Sequence, residues 1–280
     1  MIPCCAHRCL STLLLALAAS MSTEALASEP PTAPELIGET RPGSGYLRGY
    51  LERSQLPDSL ALLSAPPAPG SVAQAADLEA HRRAAAQRQQ PRWTMAAREA
   101  SLKFPQAAET FSCTLDMPIS QEHTPHLYTL LRRTMADAGL ASYKAKDHYQ
   151  RQRPFAALQE TMCAPAEQAH LARDGAYPSG HAALGWAWAL VLTSLAPERT
   201  DALLRRGRAF GENRVICGVH WQSDVDAGWM VGAATVARLQ SHPVFLAQME
   251  RARSEIQAAR QQGLKSPRSD CAEEARALTP

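Results

Sequence analysis

Hydrophobic side chains along this chain recur at helical spacing, most clearly between residues 124 and 139. They lie three and four positions apart, so that one face of a helix would be apolar, and they are Leu127, Leu130, Leu131, Met135 and Ala138. Thr124 can cap this helix, Pro125 fits its first turn, and Gly139 fits its C-terminal stop. The pattern predicts an amphipathic helix that packs against a core.

Three further segments continue the helical pattern toward the C-terminus. The sixteen residues 181–196 are apolar nearly all round, which suits a buried core helix better than a membrane span. Residues 198–211 are amphipathic, and the arginines expected to point mostly outward are Arg199, Arg205, Arg206 and Arg208. Residues 223–240 are apolar again, and their glycines and alanines allow helices to approach closely. These segments predict a helical core.

The two ends of the chain have a different pattern. Residues 28–71 are rich in proline, which predicts a wrapped or loose arm with short helices such as 45–53. Residues 73–89 and 94–103 favour helix, and the tail from 257 is polar and expected to fray. No alternating strand pattern is present. The sequence predicts an all-α, single-domain helical bundle at 72–256, between an arm at 28–71 and a C-terminal tail at 257–280.

Charge and the N-terminus narrow the class of protein. The chain has 280 residues and a formal net charge of +2, which favours neither a nucleic-acid partner nor an anionic membrane surface. Residues 1–27 resemble a secretory signal peptide, because His7 and Arg8 precede an apolar run at 10–19 and a small-x-small tripeptide at 25–27. The apolar run is too short to span a bilayer. We therefore predict export without stable membrane insertion.

Removal of residues 1–27 would leave four of the seven cysteines, namely Cys113, Cys163, Cys217 and Cys271. Disulfides form in the oxidising compartments that exported proteins reach, but four cysteines allow three full pairings. We expect Cys113 to pair with Cys163, because Cys217 lies in an apolar stretch and Cys271 lies in the polar tail.

The stretch 211–228, GENRVICGVHWQSDVDAG, carries the strongest chemical signal. His220 and Asp224 are four positions apart, so that on a helix they would share a face. A carboxylate there can accept from one ring nitrogen and leave the other nitrogen nucleophilic. Arg214 brings a permanently charged guanidinium to the same region. The set predicts a histidine that attacks an anionic substrate.

Two other clusters supply what an anionic substrate needs. Residues 177–181, YPSGH, precede the apolar helix, whose N-terminus offers free N–H groups to a phosphate. Ser179 can cap the helix or donate to the anion, Gly180 lets the backbone approach, and His181 can donate a proton. In KDHYQRQRP, Lys146 and Arg153 add two cations that would neutralise phosphate oxygens in the transition state.

Together the three clusters resemble the three-part signature of the PAP2 (type 2 phosphatidic acid phosphatase) superfamily, which implies an all-α, single-domain helical bundle of the PAP2/vanadium haloperoxidase type. The matching positions are Lys146-x6-Arg153-Pro154, Pro178-Ser179-Gly180-His181 and Asn213-Arg214-x5-His220-x3-Asp224. Within it, HYQRQRPF, YPSGHAALGWAWALVL and RVICGVHWQSDVDAG are typical of the class A bacterial non-specific acid phosphatases. The likeness covers roughly residues 66–248.

The resemblance implies a periplasmic, homo-oligomeric phosphatase that hydrolyses small phosphomonoesters without a metal or other cofactor. It implies that His220 is the nucleophile and forms a phosphohistidine, that Asp224 orients it, and that His181 protonates the leaving alcohol. The phosphate would be held by Lys146, Arg153, Ser179, Gly180 and Arg214. Because His220 must be neutral and His181 protonated, we predict a bell-shaped rate profile on the acid side of neutral.

One departure and three alternatives accompany this interpretation. The family's third motif usually begins Ser-Arg, whereas this chain has Asn213, which keeps a hydrogen-bond donor and is left out of the predicted site. A vanadium-dependent haloperoxidase would share the anion pocket, but the chain is short for one. A membrane lipid phosphatase would need several long apolar spans. A non-catalytic phosphate-binding protein on this scaffold would not need the full set of motif residues.

Overall fold

A long apolar helix, Gly180–Leu195, lies at the centre of the computed structural model, which describes Met1 and residues 29–279. Over that range the chain forms helices, and its only β pairing is a single bridge between Glu39 and Leu47. The predicted all-α class is therefore confirmed. The predicted signal peptide lies outside the described residues.

The helices are numbered along the described chain. They are α1 (Pro34–Ile37), α2 (Ser59–Leu62), α3 (Val72–Ala85), α4 (Pro91–Arg98), α5 (Ser112–Leu115), α6 (Pro125–Ala141), α7 (Tyr143–Tyr149), α8 (Pro154–Ala157), α9 (Gln168–Leu171), α10 (Gly180–Leu195), α11 (Thr200–Ile216), α12 (Gln222–Leu239), α13 (Pro243–Gln261) and α14 (Cys271–Ala277). No helix within residues 29–279 is long and apolar enough to cross a membrane.

The core forms around α10, which packs against α6, α11 and α12. Because α10 is apolar nearly all round, it is stable only when other helices cover every face. Trp188 is fully buried, and its Nε1 donates to the Leu131 carbonyl at 2.8 Å. A Cβ on Gly232 would lie 2.3 Å from the Ala183 carbonyl oxygen, so only glycine permits this approach of α12 to α10.

The C-terminal region differs from the prediction. Helix α13 continues to Gln261, past the expected start of the tail, and it buries Phe245 and Ile256 in the main core. The expectation of a frayed tail is wrong for residues 271–277, because α14 is bonded to the core through Cys271 and buries Glu274.

The predicted disulfide between Cys113 and Cys163 is wrong. Cys113 pairs with Cys271, and Cys163 pairs with Cys217. The apolar surroundings of Cys217 are the reason, since the segment of Cys163 packs there and its backbone N–H donates to the Cys217 carbonyl at 3.0 Å. The polar sequence of the tail did not indicate that it folds back onto α5.

Three local expectations are also corrected. Arg206 is fully buried rather than outward, because it forms ion pairs with Glu99 and Glu274. Residues 45–53 form no helix over that span; this part of the arm is attached to α6 by Asp137, which accepts from the backbone N–H groups of Tyr50 and Leu51. The helix expected at 94–103 is α4, which begins at Pro91.

Candidate active site

The three sequence clusters converge at the N-terminal end of α10. Lys146 lies on α7 and Arg153 just before α8, while Arg214 lies near the end of α11. Backbone contacts join the elements, because the Ser179 N–H donates to the Asp224 carbonyl at 2.8 Å. Side chains from distant parts of the chain thus surround one buried region.

His220 and Asp224 meet, although not on one face of a helix as the spacing suggested. His220 lies in the turn before α12, and Asp224 lies in the first turn of that helix. His220 Nδ1 is 3.3 Å from Asp224 Oδ2, which also accepts from the Trp221 backbone N–H at 2.8 Å. The helix N-terminus therefore fixes the carboxylate beside the imidazole.

The other nitrogen of His220, Nε2, lies 2.9 Å from Arg153 Nη1. A guanidinium has donors and no acceptor, so Nε2 must offer its lone pair and Nδ1 must carry the proton that Asp224 accepts. This tautomer presents an unprotonated Nε2 to the cationic side of the site. It is the arrangement that a histidine nucleophile needs.

Asp174, which the sequence analysis did not single out, holds two of the cations. Its Oδ2 accepts from Arg153 Nη2 at 2.7 Å and from Lys146 Nζ at 3.2 Å. Arg153 Nε also donates to the Leu171 carbonyl at 2.9 Å. The guanidinium of Arg153 is thereby held in one orientation, with Nη1 hydrogen-bonded to His220 Nε2.

Arg214 supplies the third cation and is held differently. Its side chain is buried, and its Nε and Nη1 have no hydrogen-bond partner within the part of the chain that the structure describes. Leaving buried donors unpaired is costly. An anion bound at this point would satisfy both donors, as the bidentate pairing of guanidinium with phosphate does.

The start of α10 adds a helix N-terminus and the second histidine. Ser179 Oγ accepts from the Ala182 N–H at 3.2 Å and caps the helix, with Gly180 as its first residue. His181 stacks on Phe210, and its Nε2 lies 3.1 Å from the Ala100 carbonyl oxygen. Because a carbonyl only accepts, Nε2 carries a proton.

Burial and mutual repulsion set the charges of the site. Burial, together with the charge of Arg153, holds the pKa of His220 well below its usual value, and burial with Arg214 does the same for His181. Burial lowers the pKa of Lys146 to about 8, which still leaves it protonated in acid. Burial also raises the pKa of Asp224 to about 6, against the effect of Arg151. The site thus combines cationic side chains with neutral imidazoles, and it favours an anion.

Three residues near the site are not part of the predicted set. Arg151 forms ion pairs with Asp224 and Asp77; no spacing rule connects Asp77, on α3, to the motifs. Asn213 is buried, and its side chain is hydrogen-bonded at both ends. Arg92 Nε donates to its amide oxygen, and its amide nitrogen donates to Glu99 Oε2. The side chain that departs from the family pattern therefore bonds to groups outside the predicted site.

Comparisons with known proteins show the family of this chain. A family model described as the PAP2 superfamily matches residues 127–245. A non-specific acid phosphatase of Providencia stuartii is 40% identical over 244 residues, which cover 85% of this chain and 94% of the relative. One of Salmonella typhimurium is 41% identical over 194 residues, covering 68% and 78%. An acid phosphatase of Zymomonas mobilis is 34% identical over 203 residues, covering 72% and 77%. The chain therefore belongs to the PAP2 superfamily and, within it, to the class A bacterial non-specific acid phosphatases.

Proposed function

We propose that this protein is an exported acid phosphatase that hydrolyses organic phosphomonoesters through a phosphohistidine intermediate, without a metal. The observation that carries the proposal is the contact of 2.9 Å between His220 Nε2 and Arg153 Nη1, which requires an unprotonated Nε2 on the cationic side of the site. The names of the relatives, which are acid phosphatases, support the same reaction class.

In the first step His220 Nε2 releases its hydrogen bond from Arg153 Nη1, which turns to a phosphoryl oxygen. The freed lone pair forms a bond to phosphorus as the bond from phosphorus to the alcohol oxygen breaks. The Nδ1–H of His220 keeps its hydrogen bond to Asp224, and this carboxylate stabilises the positive charge that develops on the imidazole. A bound phosphate raises the pKa of His181 by adding negative charge, so that His181 takes up a proton with the substrate. That proton passes to the leaving alcohol oxygen.

In the second step a water molecule attacks the phosphohistidine. The now neutral His181 takes a proton from the water, the phosphorus–nitrogen bond breaks, and the electron pair returns to His220 Nε2. Charge on the transferring phosphoryl group is stabilised by Lys146, Arg153 and Arg214, and by the N-terminus of α10. These cations supply the electrostatic role that a metal ion has in other phosphatases.

In the proposed mechanism the binding residues of the site contact the phosphoryl group and not the body of the alcohol. Ser179, Gly180 and Arg214 recognise phosphoryl oxygens, which every phosphomonoester shares. We therefore propose a broad range of substrates. An alcohol that replaces water in the second step would receive the phosphoryl group, which is the basis for a phosphotransferase side activity.

The cellular setting is part of the proposal. The signal-like residues 1–27 and the two disulfides support export to the periplasm. The homo-oligomeric state stays a prediction, which light scattering of the purified mature chain would test.

The decisive experiment measures hydrolysis of p-nitrophenyl phosphate by the mature chain in excess EDTA, from about pH 4 to about pH 9. We expect activity that survives EDTA and peaks below neutrality. His220→Ala should lose a factor of about 10⁴ or more, whereas His123→Ala, a matched change at an exposed surface histidine, should retain activity. Loss of wild-type activity in EDTA would contradict the metal-free mechanism. A folded but inactive protein that oxidises halide with vanadate would indicate a haloperoxidase instead.

A further inference from the structure

A second chain of ion pairs lies behind the nucleophile, on the side of Asp224 that faces away from His220. Arg151 Nη1 donates to Asp224 Oδ1 at 2.5 Å, and Arg151 Nη2 donates to Asp77 Oδ2 at 2.7 Å. The side chains of Asp224, Asp77 and Arg151 are 0%, 3% and 12% exposed. Water therefore screens these charges weakly, and each of them acts strongly on the next.

The series of ion pairs from Asp77 through Arg151 to Asp224 is held in place at both of its ends. Asp77 also accepts from the backbone N–H of Ser223 at 2.8 Å and from its hydroxyl at 2.6 Å, which attaches α3 to the first turn of α12. Arg151 lies over the ring of Trp221 at 5.6 Å and donates to Ser223 Oγ at 2.7 Å. The guanidinium thus has one orientation and two carboxylate partners.

We propose that Arg151 is a positioning residue that controls how strongly Asp224 acts on His220, and that the opposed charges of Arg151 and Asp77 set the acid limit of the phosphatase activity. This inference rests on the proposed function, in which neutral His220 attacks phosphorus while its Nδ1–H donates a hydrogen bond to an ionised Asp224.

The physical basis is that the two oxygens of Asp224 accept hydrogen bonds from different partners. Oδ2 serves His220 and the Trp221 N–H, and Oδ1 serves Arg151. Without Arg151 the carboxylate would be more basic and would take up a proton at higher pH. The same carboxylate would also stabilise a His220 imidazolium more strongly. Both effects inactivate the pair at a higher pH than in the wild type.

Asp77 acts with the opposite sign. Its negative charge offsets part of the positive charge that Arg151 brings to Asp224. Replacing Asp77 with asparagine removes the negative charge and keeps one amide oxygen, which can accept from Arg151 and from the Ser223 hydroxyl in the place of Oδ2. The amide nitrogen takes the place of Oδ1, so the hydrogen bond from the Ser223 backbone N–H is lost. Asp224 and His220 would then lose their protons at lower pH, and the acid limit would move downward. A role in packing alone would produce no such pair of opposite shifts.

Other charged and titratable groups face Asp224 and His220 from the surrounding elements, and the test leaves them unchanged. They are Lys146 and Arg153 from the α7–α8 region, Tyr177 and His181 from the start of α10, and Arg214 from α11. A difference between the variants and the wild type therefore reports on Arg151 and Asp77.

The test measures the pH dependence of kcat/KM for p-nitrophenyl phosphate in the wild type, Arg151→Met, Arg151→Lys and Asp77→Asn. We expect the acid limb of the profile to move to higher pH by about one unit or more in Arg151→Met, because Asp224 loses the cation that contacts its carboxylate. The acid limb should stay near the wild-type position in Arg151→Lys and should fall in Asp77→Asn. Arg133→Met is the matched control, since Arg133 is a partly buried arginine that donates to the backbone at Arg48 and Gly49.

The outcomes separate this inference from the proposed function. If wild-type activity does not depend on His220, the proposed function fails. If it does, but Arg151→Met lowers kcat/KM by one factor at every pH and leaves the limb in place, only the inference is overturned. If Arg151→Met does not fold, Asp77→Asn decides alone: a downward shift supports the inference, and an unchanged or raised limb overturns it.

Discussion

At the scale of single residues, the two histidines of the site differ in what holds them. His220 is fixed by charged partners, Asp224 and Arg153, whereas His181 is held by a backbone carbonyl at Ala100 and by stacking on Phe210. A histidine without a carboxylate partner loses its proton more readily to a leaving group. This difference suits the division of roles into a nucleophile and a proton donor.

The role of His181 predicts a dependence on the leaving group. His181→Asn should lower the rate for an alkyl phosphate such as glycerol phosphate by about 10²–10⁴, because an alkoxide cannot leave without a proton. The loss should be much smaller for p-nitrophenyl phosphate in the phosphorylation step, since nitrophenolate leaves unprotonated. Rapid-quench measurement of that step with both substrates would check this prediction, with His123→Asn as the control. Equal losses for the two substrates would contradict a role as general acid.

Most of the candidate residues could be predicted from the sequence, because each motif is confined to a short segment. The spacing of His220 and Asp224 indicated their contact even though the turn before α12, rather than one helix face, brings them together. Asp174 and Asp77 could not be predicted. They reach the site across sequence separations of 28 and 146 residues, to Lys146 and Ser223 respectively, so their contacts depend on the tertiary packing of separate elements.

At the scale of elements, the two disulfides hold different parts of the structure. The bond from Cys163 to Cys217 lies next to the turn that carries His220, the proposed nucleophile, and the Phe155 N–H donates there to the Gly218 carbonyl at 3.1 Å. The bond from Cys113 to Cys271 attaches the C-terminal helix α14 to α5. Tertiary packing determined these pairs. The apolar stretch around Cys217 predicted the wrong partner, because that stretch is where the segment of Cys163 packs.

Removing each disulfide should therefore have a different effect. Replacing both Cys163 and Cys217 with serine should lower kcat as well as the free energy of unfolding. Cys217 lies three residues before His220, and without the disulfide this segment is no longer attached to that of Cys163. Serine at both Cys113 and Cys271 should mainly lower the free energy of unfolding, by about 2–5 kcal/mol. Chemical denaturation and kcat per folded molecule would check this. A larger fall in kcat for the Cys113 and Cys271 pair would show that α14 supports the site more than the Cys163 bond does.

At the scale of the whole molecule, the buried cations of the site lower the stability of the fold. Arg153, Lys146 and Arg214 repel one another across a buried region, and burial with Arg153 lowers the pKa of Arg214 to about 9. Two donors of Arg214 are unpaired within the described structure. Such strain is expected where a site is built for a charged ligand rather than for stability.

Phosphate should relieve this strain, and the effect can be measured on the folding of the entire protein. Without phosphate, Arg214→Met should be at least as stable as the wild type, because it removes a buried charge that lacks its partner. Inorganic phosphate at about one hundred times its Kd should stabilise the wild type by about 2.7 kcal/mol. The variant should gain much less, so that the order of the two melting temperatures reverses when phosphate is added. Chloride at equal ionic strength is the control. A variant that is less stable than the wild type without phosphate would mean that Arg214 supports the fold itself. That result would contradict the interpretation that the unpaired donors of Arg214 require an anion.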